Sequence, residues 1–483
     1  MAQFIQFGEW LPDLPAFQNP GLTEAENVFP DAASYKSVPN LSAFSVNALG
    51  ARCQGAVVAV DGDGNTYNVA GDTSALYLMV SSTFVNVTRA VTAGTPYVTN
   101  FSQGWEFSQF GNRLLAVNGY VSAVAGNIIQ ELSLSTGTTQ FHNLVSTAGS
   151  GLNAYTIATV RDFVVIGNVF QLTSASGVYS QRVRWCAINN PDSWTADAAT
   201  LADHQDLVGE GGPVVKVIGG EYGVVMQRKA IWRMTFVGSP LVFQFDNVQR
   251  NVGLVTTKAA VSYQNLVFFL SDDGFYVFDG STVTPIGRGR IDDTFFAEVN
   301  KAQLHRINAV IHPENKLVLW AYPTGANTDP DKVLVYNWAF NRWSRLTLAT
   351  ELLATQISAG GAVTLAAFDT THAMDRFAGS AMAATISTGE MQLFPDRRAT
   401  IHEVRPYVLG GNTNSPGAQV AVARRDLFTQ SSTFGTAVSP NSTGFAPIRS
   451  SGRYHRIRVT TTNNGSFTHL QGVDIDAAPE GVR

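Results

Sequence analysis

Short apolar strands recur along the middle of this chain at a regular, long spacing. The segments NRLLAVNG (from Asn112), RDFVVIGNV (from Arg161), EYGVVMQRKAIWRM (from Glu221), NLVFFLSDDGFYVFDG (from Asn265) and NKLVLWAYP (from Asn315) each read as an apolar hairpin strand. With Leu114, Phe163, Val224, Val267 and Leu317 as anchors, the intervals are 49, 61, 43 and 50 residues. Several short strands in every stretch of about 40 to 50 residues is the period of β-propeller blades. An earlier unit fits around VVAVDGDGNTYNV and ALYLMVSSTFVNV, and a later one around AVTLAAFD. Residues 51–394 therefore predict a six- or seven-bladed β-propeller. A pair of β-sandwiches is the alternative, but sandwich strands recur every ~8 to 12 residues without a longer repeat.

Turn chemistry supports the strands. In SDDGFYVFDGSTVTPIG, Asp273–Gly274 and Asp279–Gly280 bracket the strand FYVFD, and Asp-Gly suits the positive φ of tight hairpin turns. NWAFNRW is expected to turn between two strands, with Trp338 and Trp343 at its ends.

The flanks differ from this middle. Residues 1–50 hold Pro12, Pro15, Pro20, Pro30 and Pro39 and show no sustained period. Prolines lock φ and remove N–H donors, so an extended N-terminal arm is expected there rather than a regular sheet. One helical turn is expected at TEAENV, where Thr23 and Glu26 fit a capping box. Residues 395–483 read as a small β-sandwich-like domain with strands at TIHEVRPYVLGG, AQVAVARRD and RYHRIRVTTTNNGSFTHLQGVDI. Alternation in RYHRIRV sets Tyr454, Arg456 and Arg458 against His455, Ile457 and Val459. The fold class is all-β.

Composition sharpens this picture. Charged residues are only 14% of the chain, against about a quarter in ordinary soluble domains, which suggests either many uncharged polar faces or faces buried in an assembly. From Asp396 onward there are ten arginines, no lysine and six acids, a net of +4. The other 395 residues carry 22 basic and 31 acidic side chains, a net of −9. The two parts are expected to face different neighbours, or the arginines to pair locally. Cys53 and Cys186 are isolated, which fits folding in a reducing cytoplasm. The N-terminus MAQFIQFGEW lacks the pattern of a secretion signal, and no apolar run approaches the ~18 residues of a membrane span. A soluble chain without a membrane span is expected.

Candidate chemistry is sparse. The sequence has no phosphate-loop, nucleophile-elbow or helical zinc motif, and His402–Glu403 is followed by Val, Arg and Pro. Asp61-Gly62-Asp63-Gly64-Asn65 sets carboxylates at calcium-loop spacing but lacks the remaining ligands, so it reads as a hairpin turn. Ser271, Asp273 and Gly274 approach the Asp-box of glycosidase propellers without its spacing or its Trp. Glu210, Asp272 and Glu298 are the acids available on blade loops for such a site. Trp105, Trp194 and Trp232 are possible members of a glycan-binding face, or packing residues. No catalytic, cofactor-binding or metal-binding residue is assigned, no cofactor is expected, and the chain is read as not an enzyme.

Four stretches carry a resemblance. The arm GEWLPDLPAFQNPGLTEAENVFP has a proline-rich lead followed by NPGL, and RVRWCAINNPDSW is a strand-turn unit with Cys186 where serine is commoner. The closing pieces are ISTGEMQLFPDRRATIHEVRPYV and SGRYHRIRVTTTNNGSFTHLQGVDI, ending in Gly481-Val482-Arg483. In this order along the chain they resemble the tail nozzle proteins of short-tailed bacteriophages, also called packaged-DNA stabilisation or tail tubular proteins. The resemblance implies a homohexameric ring in the virion tail, assembled in the host bacterial cytoplasm. It implies a portal adaptor (head-to-tail connector) above the ring and fibres, spikes or a tip protein attached to it. Genomic double-stranded DNA would pass through the ring without sequence-specific binding. An acidic or neutral channel wall is expected, because lysines and arginines there would grip the phosphates. The alternatives are a receptor- or glycan-binding propeller at the tail tip and a virion glycosidase.

Overall fold

The computed structural model describes residues 2–90, 97–100, 102–119, 128–134, 140–145, 151–171, 177–357, 361–410, 417–465 and 467–481. Val482 and Arg483 of the closing motif lie outside the described residues. Among the described residues, six four-stranded antiparallel meanders follow one another, and a seventh sheet comes after them. Sheet 1 spans 55–86, sheet 2 106–143, sheet 3 152–206, sheet 4 214–250, sheet 5 260–285 and sheet 6 308–347. Sheet 7 takes three strands from 352–381 and its fourth from the arm.

The first strands of these sheets form a ring. Gly55–Val60 touches Glu106–Phe110, which touches Leu152–Val160, and so to Val214–Ile218. Ala260–Tyr263 touches Asn308–His312, which touches Leu352–Ile357, which returns to Gly55–Val60. Between sheets 4 and 5 the 3-10 turn Thr257–Ala259 makes the link, with Thr257 Oγ1 donating to Val215 O at 3.1 Å.

The sequence period has a simple origin. Leu114, Phe163, Val224, Val267 and Leu317 all lie on the second strand of their sheet. That strand is paired on both edges and covered on both faces by neighbouring sheets, so it is predominantly apolar. Leu317–Tyr322 is buried at every position. The turns fall where the sequence placed them, with Gly280 at φ +97° and NWAFNRW joining Lys332–Asn337 to Arg342–Thr347.

Glycines make room for Trp105, immediately before sheet 2. A Cβ on Gly55 would meet the Trp105 backbone, and one on Gly71 would enter the indole ring. Trp105 is 1% exposed, and its Nε1 donates to Asp72 O at 2.7 Å. Gly71→Ala is expected to cost about 1–3 kcal/mol by overpacking, read as a lower urea midpoint. An unchanged midpoint would show that this contact tolerates a methyl group.

The arm departs from the sequence expectation. It contains β1 (Ala2–Gln6), β2 (Leu22–Glu26), β3 (Val28–Pro30), β4 (Tyr35–Ser37) and β5 (Pro39–Ala43). The prolines are accommodated because Pro30 ends β3 and Pro39 begins β5, while Pro12, Pro15 and Pro20 lie outside strands. TEAENV is a strand, not a helical turn. Thr23 Oγ1 donates to Ser387 O and Thr388 O, and Glu24 and Glu26 pair with Arg458 and Arg345, so the capping groups are engaged elsewhere. Pairing on both edges of β2 overrides the local helical signal.

Each arm strand enters a sheet built from distant sequence. β5 completes sheet 7 against Asp375–Phe377. β2 joins the outer strand of sheet 6, Arg342–Thr347, to Thr385–Thr388. Beyond Thr385–Thr388 follow Tyr454–Thr460, Gln419–Arg425 and Thr433–Phe434, so one nine-stranded sheet runs from sheet 6 into the closing region. β1, β3 and β4 belong to a second closing sheet with Ala399–Leu409, Ser450–Gly452 and His469–Pro479. Thr385–Thr388 thus belongs with the closing sheets, ahead of the expected boundary at 395. In Tyr454–Thr460 the expected alternation holds, with His455, Ile457 and Val459 buried.

One core spans these parts. Phe7, Trp10, Leu22, Val28 and Tyr35 of the arm pack in a single cluster with Phe275, Trp320 and Trp343 of sheets 5 and 6 and with Val404, Ile457 and Ile475. Arg342, itself 4% exposed, ties the arm down. Its Nη1 donates to Asp31 O (2.7 Å) and Ala32 O (2.9 Å), and its Nη2 to Phe7 O (3.0 Å) and Gly8 O. The guanidinium lies 4.6 Å from the Tyr35 ring centroid.

Candidate functional site

The first strands of sheets 1, 2, 5, 6 and 7, with Lys216 of sheet 4, line an axial cavity of about 270 Å³. Its wall mixes apolar residues, among them Val57, Phe107, Val261 and Val310, with the polar Asn308 and Thr355. Three charged side chains enter it from three sheets. Glu106 opens the first strand of sheet 2, Lys216 lies mid-strand in sheet 4, and Lys258 sits in the turn before sheet 5. Lys258 Nζ reaches Glu106 Oε1 at 3.1 Å and Trp105 O at 2.7 Å. Lys216 Nζ reaches Glu106 Oε2 at 3.3 Å. Burial alone would raise the Glu106 carboxyl, but the two ammonium groups outweigh it and hold it below the usual carboxylate range. Burial pushes the Lys258 ammonium below its ordinary value, and Glu106 offsets this only in part. The triad braces the ring between sheets that are not chain neighbours. Sequence reasoning missed it, because Glu106 stands 110 and 152 residues from its partners.

The acids singled out from the sequence are not brought together. Glu210 is exposed in a turn, Asp272 pairs with Arg228 at 3.1 Å, and Glu298 pairs with Arg345 at 2.9 Å and accepts from Tyr322 OH. Asp61 forms a turn: its carboxylate accepts from Asp63 N, Asn65 N, Asn65 Nδ2 and Tyr67 OH at 2.8–3.0 Å. Among the described residues no group of three or more His, Cys, Asp or Glu is arranged to hold a metal. Cys53 and Cys186 are buried, and burial pushes each thiol up to about 12. Trp105 and Trp194 are packing residues, at 1% and 0% exposure. Trp232 is half-buried beside a second cavity, of about 510 Å³, lined also by Gln227, Asn247, Lys229 and Arg250.

Asp292, in the first turn of α1 (Asp292–Glu298), is an acid the sequence did not flag. Its Oδ1 accepts from Phe275 N at 3.2 Å, and its carboxylate fills the space where Gly274 and Gly287 lack side chains. Burial pushes this carboxyl up to about 7, with the Asp13 and Asp273 charges adding to the rise. The folded value lies above the ordinary 3.8, so ionisation erodes stability as pH rises through 7. Asp292→Asn keeps the acceptor and removes the ionisation. Its stability relative to the parent is expected to grow by up to ~1.4 kcal/mol per pH unit between about pH 4 and 7, then level off. Urea melts across pH check this, and a pH-independent difference would refute it.

The arginines of the closing region are largely used within the chain. Arg425 pairs with buried Glu390, Arg458 with Glu24 at 2.7 Å, and Arg398 with Asp426 at 3.1 Å. Arg456 donates to Thr23 Oγ1 at 2.7 Å, and Arg405 stacks on Tyr407 and Phe445. Arg397 and Arg449 are exposed. In the strand-turn unit, Asp192 reaches across to Arg113 of sheet 2 at 2.7 Å, and Trp194 Nε1 donates to Pro191 O.

Four-stranded antiparallel meanders arranged in a closed ring about an axial cavity define a β-propeller. No family model matches the chain, and no curated protein matches it. Among solved structures it is similar to the WD40 domain of Neurospora crassa Pan2, at 8% identity and a TM-score of 0.38, covering 72% of this chain and 96% of that one. A Bacteroides uniformis protein described as a 6-phosphogluconolactonase matches at 11% identity and a TM-score of 0.36, covering 68% and 90%. The extracellular domain of a hybrid two-component system from B. thetaiotaomicron matches at 7% and 0.40, covering 86% of this chain and 47% of that one. Likenesses at these TM-scores carry no argument, and the propeller assignment rests on the chain's own sheets.

Proposed function

We propose that this chain is a non-catalytic structural subunit of a short-tailed phage tail, a nozzle or hub protein. In this reading it is a seven-bladed propeller closed by β5, carrying a β-sandwich-like closing domain. Six copies form a ring below the portal and its adaptor, extend the DNA channel, retain packaged DNA and anchor fibres or spikes. The observation that carries the reading is the ordered resemblance of the arm, the strand-turn unit and the closing pieces to the nozzle family. Two features support it. The arm and the closing pieces are woven into shared sheets with sheet 6, as suits a subunit under mechanical tension. The arginines of the closing region are mostly paired or stacked, which leaves few to grip passing phosphates.

Single-particle imaging of the protein with purified virion tails tests the proposal. Sixfold rings of propellers around a bore wide enough for duplex DNA are expected, with an acidic or neutral lining. A monomer or trimer at the distal tip without a bore would overturn it. That outcome would favour a second reading, a glycan-binding propeller, for which the cavity beside Trp232 is the specific observation. Calorimetry and a turnover assay on host-surface glycans would then separate binding from hydrolysis.

A further inference from the structure

The axial cavity holds more positive charge than its own residues neutralise. Lys216 and Lys258 share the single carboxylate of Glu106, and no other acid is among the leading charge partners of Glu106 or Lys258. The side chains are only 17%, 16% and 12% exposed for Lys216, Lys258 and Glu106 respectively. An ammonium carries three N–H donors. Lys258 spends two, on Trp105 O and Glu106, and Lys216 spends one, on Glu106. Three donors on two cations are thus unspent among the described residues. Two ammonium groups that share one carboxylate leave one positive charge uncompensated in a half-buried setting, and hydrogen bonds from an ammonium to an anion are roughly twice as strong as neutral ones.

We infer that the axial cavity is a binding site for a small oxyanion of the phosphate type, held by the unspent N–H groups of Lys216 and Lys258. The volume of about 270 Å³ accommodates such an anion but not a nucleic-acid duplex. Glu106 plays two opposed parts: it aligns both ammonium groups, and its charge disfavours the anion. This inference does not depend on the nozzle reading, because it concerns the propeller axis and not the bore of a ring.

Isothermal titration of the full chain with inorganic phosphate, at fixed ionic strength, is the test. Saturable one-to-one binding is expected for the parent protein. Lys216→Met, which breaks a single ion pair, is expected to weaken binding by about tenfold or more, the value of one lost charge-assisted contact. Glu106→Gln keeps the side-chain shape and removes the opposing charge, so it is expected to tighten binding by a similar factor. The opposite signs of the two variants separate a specific site from general loss of structure, and melting curves of both confirm that each is folded. Absence of binding in both the parent and Glu106→Gln would overturn the inference. So would phosphate binding that Lys216→Met leaves unchanged, since that would locate the anion on exposed arginines such as Arg397 or Arg449.

Discussion

A chain beginning at Phe44 is expected to fail to fold into a soluble protein. Without β5, sheet 7 ends in the unpaired strand Met374–Ala381. Without β2, the nine-stranded sheet splits and bares the edges of Arg342–Thr347 and Thr385–Thr388. Open edges of this kind template aggregation. The core also loses Phe7, Trp10, Leu22, Val28 and Tyr35, each at 3% exposure or less. At about 1.5–3 kcal/mol per large apolar side chain, that loss rivals the whole stability of an ordinary domain, about 5–15 kcal/mol. Expression followed by sedimentation and circular dichroism checks the outcome. A soluble monomer with the parent's melting curve would show that the arm is an accessory and not part of the fold.

Arg342→Met is expected to be the most damaging single substitution, at about 3–5 kcal/mol in urea denaturation. The guanidinium serves four backbone carbonyls, those of Phe7, Gly8, Asp31 and Ala32. These belong to two segments of the arm that are otherwise bridged by Tyr35 OH donating to Gly8 O and Gln6 Nε2 donating to Ala33 O. Methionine fills the volume but leaves the carbonyls without this donor. Arg342→Lys is expected to recover less than half of the loss, because a point charge cannot match the planar fork. Full recovery by lysine would mean that charge, not the forked donor set, holds the arm.

The truncation and the Arg342 substitutions both probe how far the arm is part of the fold. In the proposed nozzle reading the subunit would need a fixed shape before joining a ring, and the arm's strands enter three sheets. Arg345 acts in the same place, between Glu26 and Glu298 and 5.5 Å from the Trp10 ring. Proposed contacts with an adaptor or fibres would then use surfaces that the arm has already fixed.

Much of the propeller was legible along the chain. The second strands of the sheets are buried on both faces, so a local run such as LVLWAY or LVFFL reports its own position. Asp-Gly turns report themselves as well, because positive φ selects glycine whatever lies around it. The alternation of His455, Ile457 and Val459 was readable for the same reason: a half-buried strand writes its two faces into successive residues. What only the tertiary structure decided were the non-local pairings. Backbone hydrogen bonds between β5 and Asp375–Phe377 carry no side-chain signature, so the closure of sheet 7 was invisible. The strand β2 even displayed a helical cap signal, which pairing with two distant strands overrode. Glu106, Lys216 and Lys258 were three ordinary charged residues until the ring brought sheets 2, 4 and 5 to one axis. Local burial writes itself into local sequence, whereas the choice of a distant partner depends on geometry that exists only once the chain has closed.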